Sequence, residues 1–203
     1  KRCLYETSFS LLVDNTPGVL SRISGLFSRR GYSIDSITAG VTADPRFTRI
    51  TIVASGDELI LSQIEKQVRK LEDVIEIKVL KEGESVYREL IMVKIRANAS
   101  ERAEVISLAD IFRAKVVDVE KESLMLELTG NQSKLEAFLN LLDGYEILEL
   151  ARTGITGLSR GIRDITCIDE NGQKWTWSPD ERTDKIQQAK GVSFNEYKKK
   201  SKF

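Results

Sequence analysis

Hydrophobic positions change period along the chain in a regular order. From Tyr5 to Val13 they alternate, with Phe9, Leu11 and Val13 on one face, the two-residue period of a strand. Asp14-Asn15-Thr16-Pro17-Gly18 breaks the alternation, and Leu20, Ile23, Leu26 and Phe27 follow at helical spacing. Asn15 or Thr16 is placed to cap this helix and Pro17 suits its first turn. Arg29 and Arg30 complement the negative end of its dipole, and Gly31 stops it. Ile37, Ala39 and Val41 predict a second strand, residues Thr42 to Arg46 a turn, and Ile50 and Ile52 a third strand. Ile60, Ile64, Val68 and Leu71 predict a second helix, and Ile75, Ile77 and Val79 a fourth strand.

Lys81 to Ser85, with Gly83, reads as a linker, after which the order repeats. Leu90 to Ala97 is a strand; Val105, Leu108, Ala109 and Phe112 share a helix face. Val117 and Val119 mark one strand, and Leu124, Leu126 and Leu128 the next. Leu135, Phe138, Leu139 and Leu142 form a helical stripe that Gly144 ends, and Ile147 to Arg152 is the last strand. Two successive βαββαβ units predict an α+β fold of two tandem ferredoxin-like sandwiches. The predicted domains are residues 1–83 and 84–160, followed by a polar tail over 161–203. In that tail, Ile165 to Ile168 and Lys174 to Trp177 flank Asp169-Glu-Asn-Gly172, a hairpin signal. Each sandwich leaves one sheet face and two strand edges open, and its core is small, so a homodimer is expected.

Charge narrows the function. Lys plus Arg and Asp plus Glu both number 31, which argues against a nucleic-acid binder. No apolar run approaches the roughly 20 residues that span a bilayer, and no leader pattern opens the chain, so a cytoplasmic protein is expected. There is no histidine, which removes His-dependent triads and His-metal hydrolases. Cys3 and Cys167 suffice neither for a zinc site nor for a disulfide framework. Composition alone thus makes an enzyme less expected while leaving carboxylate, Lys or Cys chemistry open. Gly157-Leu-Ser-Arg-Gly161 fits the nucleophile-elbow expression, but no His partner exists for it.

The strongest candidate for binding is Asp14 to Leu20. A helix start presents unpaired N–H groups and a positive dipole end, which together suit a carboxylate. Gly18 lacks a Cβ, so a ligand can approach the N–H groups of Gly18, Val19 and Leu20. Asn15 offers both donor and acceptor groups, and Leu20 and Ile34 supply apolar surface for a ligand side chain.

Asp14-Asn-Thr-Pro-Gly-Val-Leu-Ser-Arg-Ile23 followed by Leu26-Phe-Ser-Arg-Arg-Gly-Tyr-Ser-Ile-Asp-Ser36 resembles the opening of the acetolactate (acetohydroxyacid) synthase small subunits. Gln63 to Gln67 with Lys70-Leu71, Arg88 to Ile95, Ile111 to Ala114, Ala151 to Gly154 and Leu158 to Gly161 continue the likeness in order. The resemblance implies an amino-acid-binding ACT domain followed by the family's C-terminal domain. It implies a regulatory subunit that activates a separate catalytic subunit and confers feedback inhibition by valine. Thiamine diphosphate, magnesium and FAD would belong to that catalytic partner, leaving this chain with no catalytic residue, no metal site and no cofactor of its own. Valine would be held by Asn15, Gly18, Val19 and Leu20, with Ser33 and Ile34 contributed by the neighbouring protomer. The family usually carries Asn where this chain has Ser33, whose hydroxyl reaches less far. The other reading of such a sequence is an amino-acid-sensing ACT module of a different regulatory system.

Overall fold

The computed structural model describes residues 5–161. The hairpin expected at 165–177 and both cysteines therefore lie outside the described residues. The chain divides into two units, the first running to Ser85 and taking in Ser159, the second spanning Val86–Leu158.

In the first unit the elements are β1 (Tyr5–Asp14), α1 (Val19–Arg30), β2 (Ser36–Val41), β3 (Phe47–Gly56), α2 (Glu58–Val68) and β4 (Val74–Leu80). The sheet is antiparallel in the order β2-β3-β1-β4, the ferredoxin-like arrangement. Phe9, Leu11 and Val13 of β1 and Ile50, Ile52 and Ala54 of β3 face Val19, Ile23, Leu26 and Phe27 of α1 and Leu61, Ile64 and Val68 of α2 in one core. Burying a side chain such as Ile52 or Ile64 contributes ~1.5–3 kcal/mol.

Two expectations shift in phase. The buried stripe of α1 begins at Val19, and Leu20 stands 45% exposed. On β4 the residues buried in this core are Val74 and Ile77, because a register shift opposite Leu12 and Val13 turns Ile75 outward. The face of this sheet away from the helices is not bare, since Ser10, Leu12, Thr51 and Val53 are all buried.

The second unit repeats the plan with β5 (Ser85–Arg96), α3 (Arg102–Phe112), β6 (Lys115–Val119), β7 (Ser123–Gly130), α4 (Gln132–Leu141) and β8 (Ile147–Arg152). The sheet order is β6-β7-β5-β8. Ile91, Val93 and Ile95 pack with Leu124, Leu126 and Leu128 beneath Val105, Ala109, Leu135 and Phe138. A further strand, β9 (Thr156–Ser159), pairs with β5 and was not expected. Asn98 and Asn131 organise helix starts: Asn98 accepts from the N–H groups of Ser100 and Glu101 ahead of α3, and Asn131 caps α4 through Lys134 N–H.

Candidate functional site

β1 delivers the chain to the candidate turn, where Asp14 N–H donates to Asp73 O at 3.0 Å and Asn15 N–H to Arg46 O at 2.7 Å. Asn15 does not cap α1. Its Nδ2 donates to Pro45 O at 2.9 Å and its Oδ1 accepts from Thr48 Oγ1 at 3.1 Å, so the side chain laces the turn to the β2–β3 connection. The expected cap fails because the amide finds better partners across the sheet than along its own chain. The helix is entered instead through Gly18, at φ 87° and ψ −4°, with no side-chain cap. That left-handed backbone favours glycine independently of any ligand.

Pro17 consequently lies outside the helix. Val19 is 7% exposed and committed to the core, so only its main chain borders the turn. Its N–H lies 3.5 Å from Thr16 O, whereas the N–H groups of Gly18 and Leu20 make no backbone hydrogen bond among the described residues. The turn thus presents a short run of amide donors beside the exposed Leu20 side chain.

An ion pair that sequence reading missed stands over this turn. Arg22 Nε donates to Asp73 Oδ2 at 2.5 Å and Nη2 to Asp73 Oδ1 at 2.6 Å, with Nη2 also 3.5 Å from Thr16 Oγ1. The hydrogen bond from Arg22, together with its charge, holds the Asp73 carboxyl below the usual carboxylate range; burial opposes this. The same bond raises Arg22. An exposed pair of this kind adds little stability, so its effect is geometric. Arg22 follows four residues after Gly18, but Asp73 is 51 residues away, and no local pattern announces that pairing.

Ser33 and Ile34 follow the far end of α1. Ser33 is exposed, with its Oγ 3.5 Å from Asp35 Oδ1, and Ile34 packs half-buried against the core. Twelve helical residues put roughly 18 Å between the two ends of α1. One protomer therefore brings together Asn15, Gly18, Val19 and Leu20, and leaves Ser33 and Ile34 apart from them. An open hollow of about 550 Å³ lined by Leu26, Arg29, Arg30, Tyr32 and Gln63 does not include the turn.

The second unit holds another pair of long sequence separation. Arg152 grips the buried Glu89 through two bonds, Nε to Oε1 at 2.9 Å and Nη2 to Oε2 at 2.8 Å, tying β8 to β5. No group of three or more His, Cys, Asp or Glu among the described residues is placed to hold a metal ion, and no helix there is long and apolar enough to cross a membrane.

A family model for the small subunit of acetolactate synthase matches residues 88–161, and one for the ACT domain of such small subunits matches residues 9–76. The probable acetolactate synthase small subunit of Methanothermobacter thermautotrophicus is 50% identical over 157 residues, 77% of this chain and 94% of that protein. The chain belongs to the acetolactate synthase small-subunit family. The isozyme 3 small subunit of Salmonella typhimurium is 47% identical over 153 residues, 75% of this chain and 94% of its own length. The crystal structure of the small subunit from Thermotoga maritima superposes with a TM-score of 0.73 at 39% identity, covering 78% of this chain and 99% of that one. As a member of that family, the chain has the role of a regulatory small subunit of acetolactate synthase. Within this family the turn at Gly18 lies in the ACT domain.

Proposed function

We propose that this small subunit acts in the cytoplasm as a homodimer, raises the activity of the acetolactate synthase catalytic subunit, and confers feedback inhibition by valine. Thiamine diphosphate, magnesium and FAD belong to the catalytic subunit on this reading. The observation that carries it is the turn at Gly18: amide donors without backbone partners open α1, with the exposed Leu20 beside them. Such a turn fits an α-carboxylate with a small apolar side chain.

The strand register supports a site completed by a second protomer. Val41 and Val13 both pair with Thr48, so the end of β2 lies at the same end of the sheet as the Asn15 turn. Ser36 and Ser8 both pair with Val53, so the start of β2 lies at the opposite end. β2 is an edge strand, and Ile37 and Val41 on it are 41% and 45% exposed. Two β2 edges joined antiparallel about a twofold axis would set the start of one beside the end of the other. The partner's Ser33 and Ile34 would then approach Asn15 to Leu20, which no single chain achieves.

By linkage, valine inhibits only as far as it binds one arrangement of the dimer more tightly than the other, typically by ~1–3 kcal/mol. Adding the chain to its catalytic subunit and following acetolactate formation tests the reading. The rate should rise on addition and fall again as valine is titrated, while the chain alone turns nothing over. A catalytic rate indifferent to the chain would refute activation, and an activated rate indifferent to valine would refute the effector.

A further inference from the structure

The guanidinium of Arg22 is only partly used by its neighbours. Nε and Nη2 are engaged by Asp73 and Thr16, whereas Nη1 has no hydrogen-bond partner among the described residues. Nη1 lies directly over the turn: a Cβ built on Gly18 would stand 3.2 Å from it. Asp73 is itself fixed to the same turn, because its carbonyl accepts the N–H of Asp14 at 3.0 Å. The carboxylate therefore braces one edge of the guanidinium and leaves the other edge facing Gly18. A planar fork permits this division of labour, which a lysine ammonium does not reproduce.

We propose that Arg22 is a ligand-binding residue of the effector site, held in place by Asp73 as a positioning residue. This rests on the effector reading above and adds the charged group that the amides lack. The Nη1 N–H groups take one oxygen of the effector's α-carboxylate while the helix-opening amides take the other. A helix start offers about half a positive charge, and a guanidinium adds a full one through charge-assisted bonds. The same geometry sets what Gly18→Asp would do. Its carboxylate would fall within reach of Nη1 and occupy the cation from inside the chain, replacing the effector's carboxylate.

Calorimetry on the full chain with valine and with valinamide, which has no carboxylate, tests the assignment. In Arg22→Gln, valine affinity should fall about tenfold while the weaker valinamide binding stays nearly unchanged, and Arg22→Lys should recover part of the loss. Asp73→Asn should weaken valine selectively by about threefold, since the guanidinium is then free to wander. Thermal unfolding of each variant checks that the sandwich is intact. Parallel losses for valine and valinamide would show a merely structural role and overturn the assignment, as would undiminished valine binding in both Arg22→Gln and Asp73→Asn. A wild-type chain that ignores valine overturns the effector reading, and this assignment with it.

Discussion

Gly18 and Gly83 form a natural matched pair, because both hold left-handed backbone, at φ 87° and φ 79°, and only one borders the candidate site. An alanine at either position is strained by roughly 1–2 kcal/mol. At Gly83 nothing lies within 4 Å of the new methyl group, and at Gly18 the neighbour is the end of the flexible Arg22 side chain, at 3.2 Å. The guanidinium yields by a few tenths of an ångström, so contact adds little to either cost. Both variants should therefore lower the unfolding temperature of the first unit by a similar amount, roughly 4–8 °C for each kcal/mol in a domain of this size. Binding separates them. The methyl group of Gly18→Ala occupies the approach to the amides, and calorimetry should show valine affinity reduced about tenfold or more. Gly83→Ala should bind like the wild type. Equal losses of valine affinity in the two variants would mean that backbone strain, not access to the turn, governs binding. Undiminished affinity in Gly18→Ala would place the site elsewhere.

Other perturbations probe the remaining elements. Phe138→Ala removes a fully buried ring packed 5.3 Å from Phe112, and denaturant titration should show the second unit losing ~3–5 kcal/mol. Arg152→Met leaves the carboxylate of Glu89, itself 5% exposed, without its bidentate partner, and should cost about 2 kcal/mol by the same titration. Ile37→Glu puts charge on the exposed β2 edge with little change inside the protomer; sedimentation should show a monomer, and a persisting dimer would refute the β2 interface. Arg22 depresses Asp73, so this pair stabilises the fold above the unfolded carboxylate value, about 4, and the contribution is lost as pH falls through the lower folded value. Acid unfolding of Asp73→Asn should lack that component, whereas an acid limb identical to wild type would exclude it.

The repeated alternation of two-residue and helical periods made both sandwiches legible, because each strand and helix buries one face in its own core. Phase was less legible. Val19 and Leu20 are both apolar and adjacent, and periodicity cannot decide which faces inward until the left-handed Gly18 fixes where the helix begins. Ile75 was misplaced for a similar reason, since a shift in register is a property of two strands and not of one. β9 was missed because Gly154 and Gly157 punctuate a segment that gains its strand character only from pairing with β5. At the site, Gly18 and the amide-rich turn could be read from composition, whereas Asn15 looked like a cap because its partners, Pro45 and Thr48, are distant in sequence. Asp73 opposite Arg22 and Glu89 opposite Arg152 escaped notice on the same ground, at separations of 51 and 63 residues.

α1 is a single rigid rod of twelve residues whose two ends bear on different business. Its head carries Gly18 and Leu20, and its foot leads into Ser33 and Ile34. In a twofold dimer each rod would serve one pocket with its head and the sister pocket with its foot. Tilting it to tighten around one guest would displace the wall offered to the next. Two bound molecules would then register each other like riders on a seesaw, and cooperativity would need no machinery beyond the stiffness of one helix.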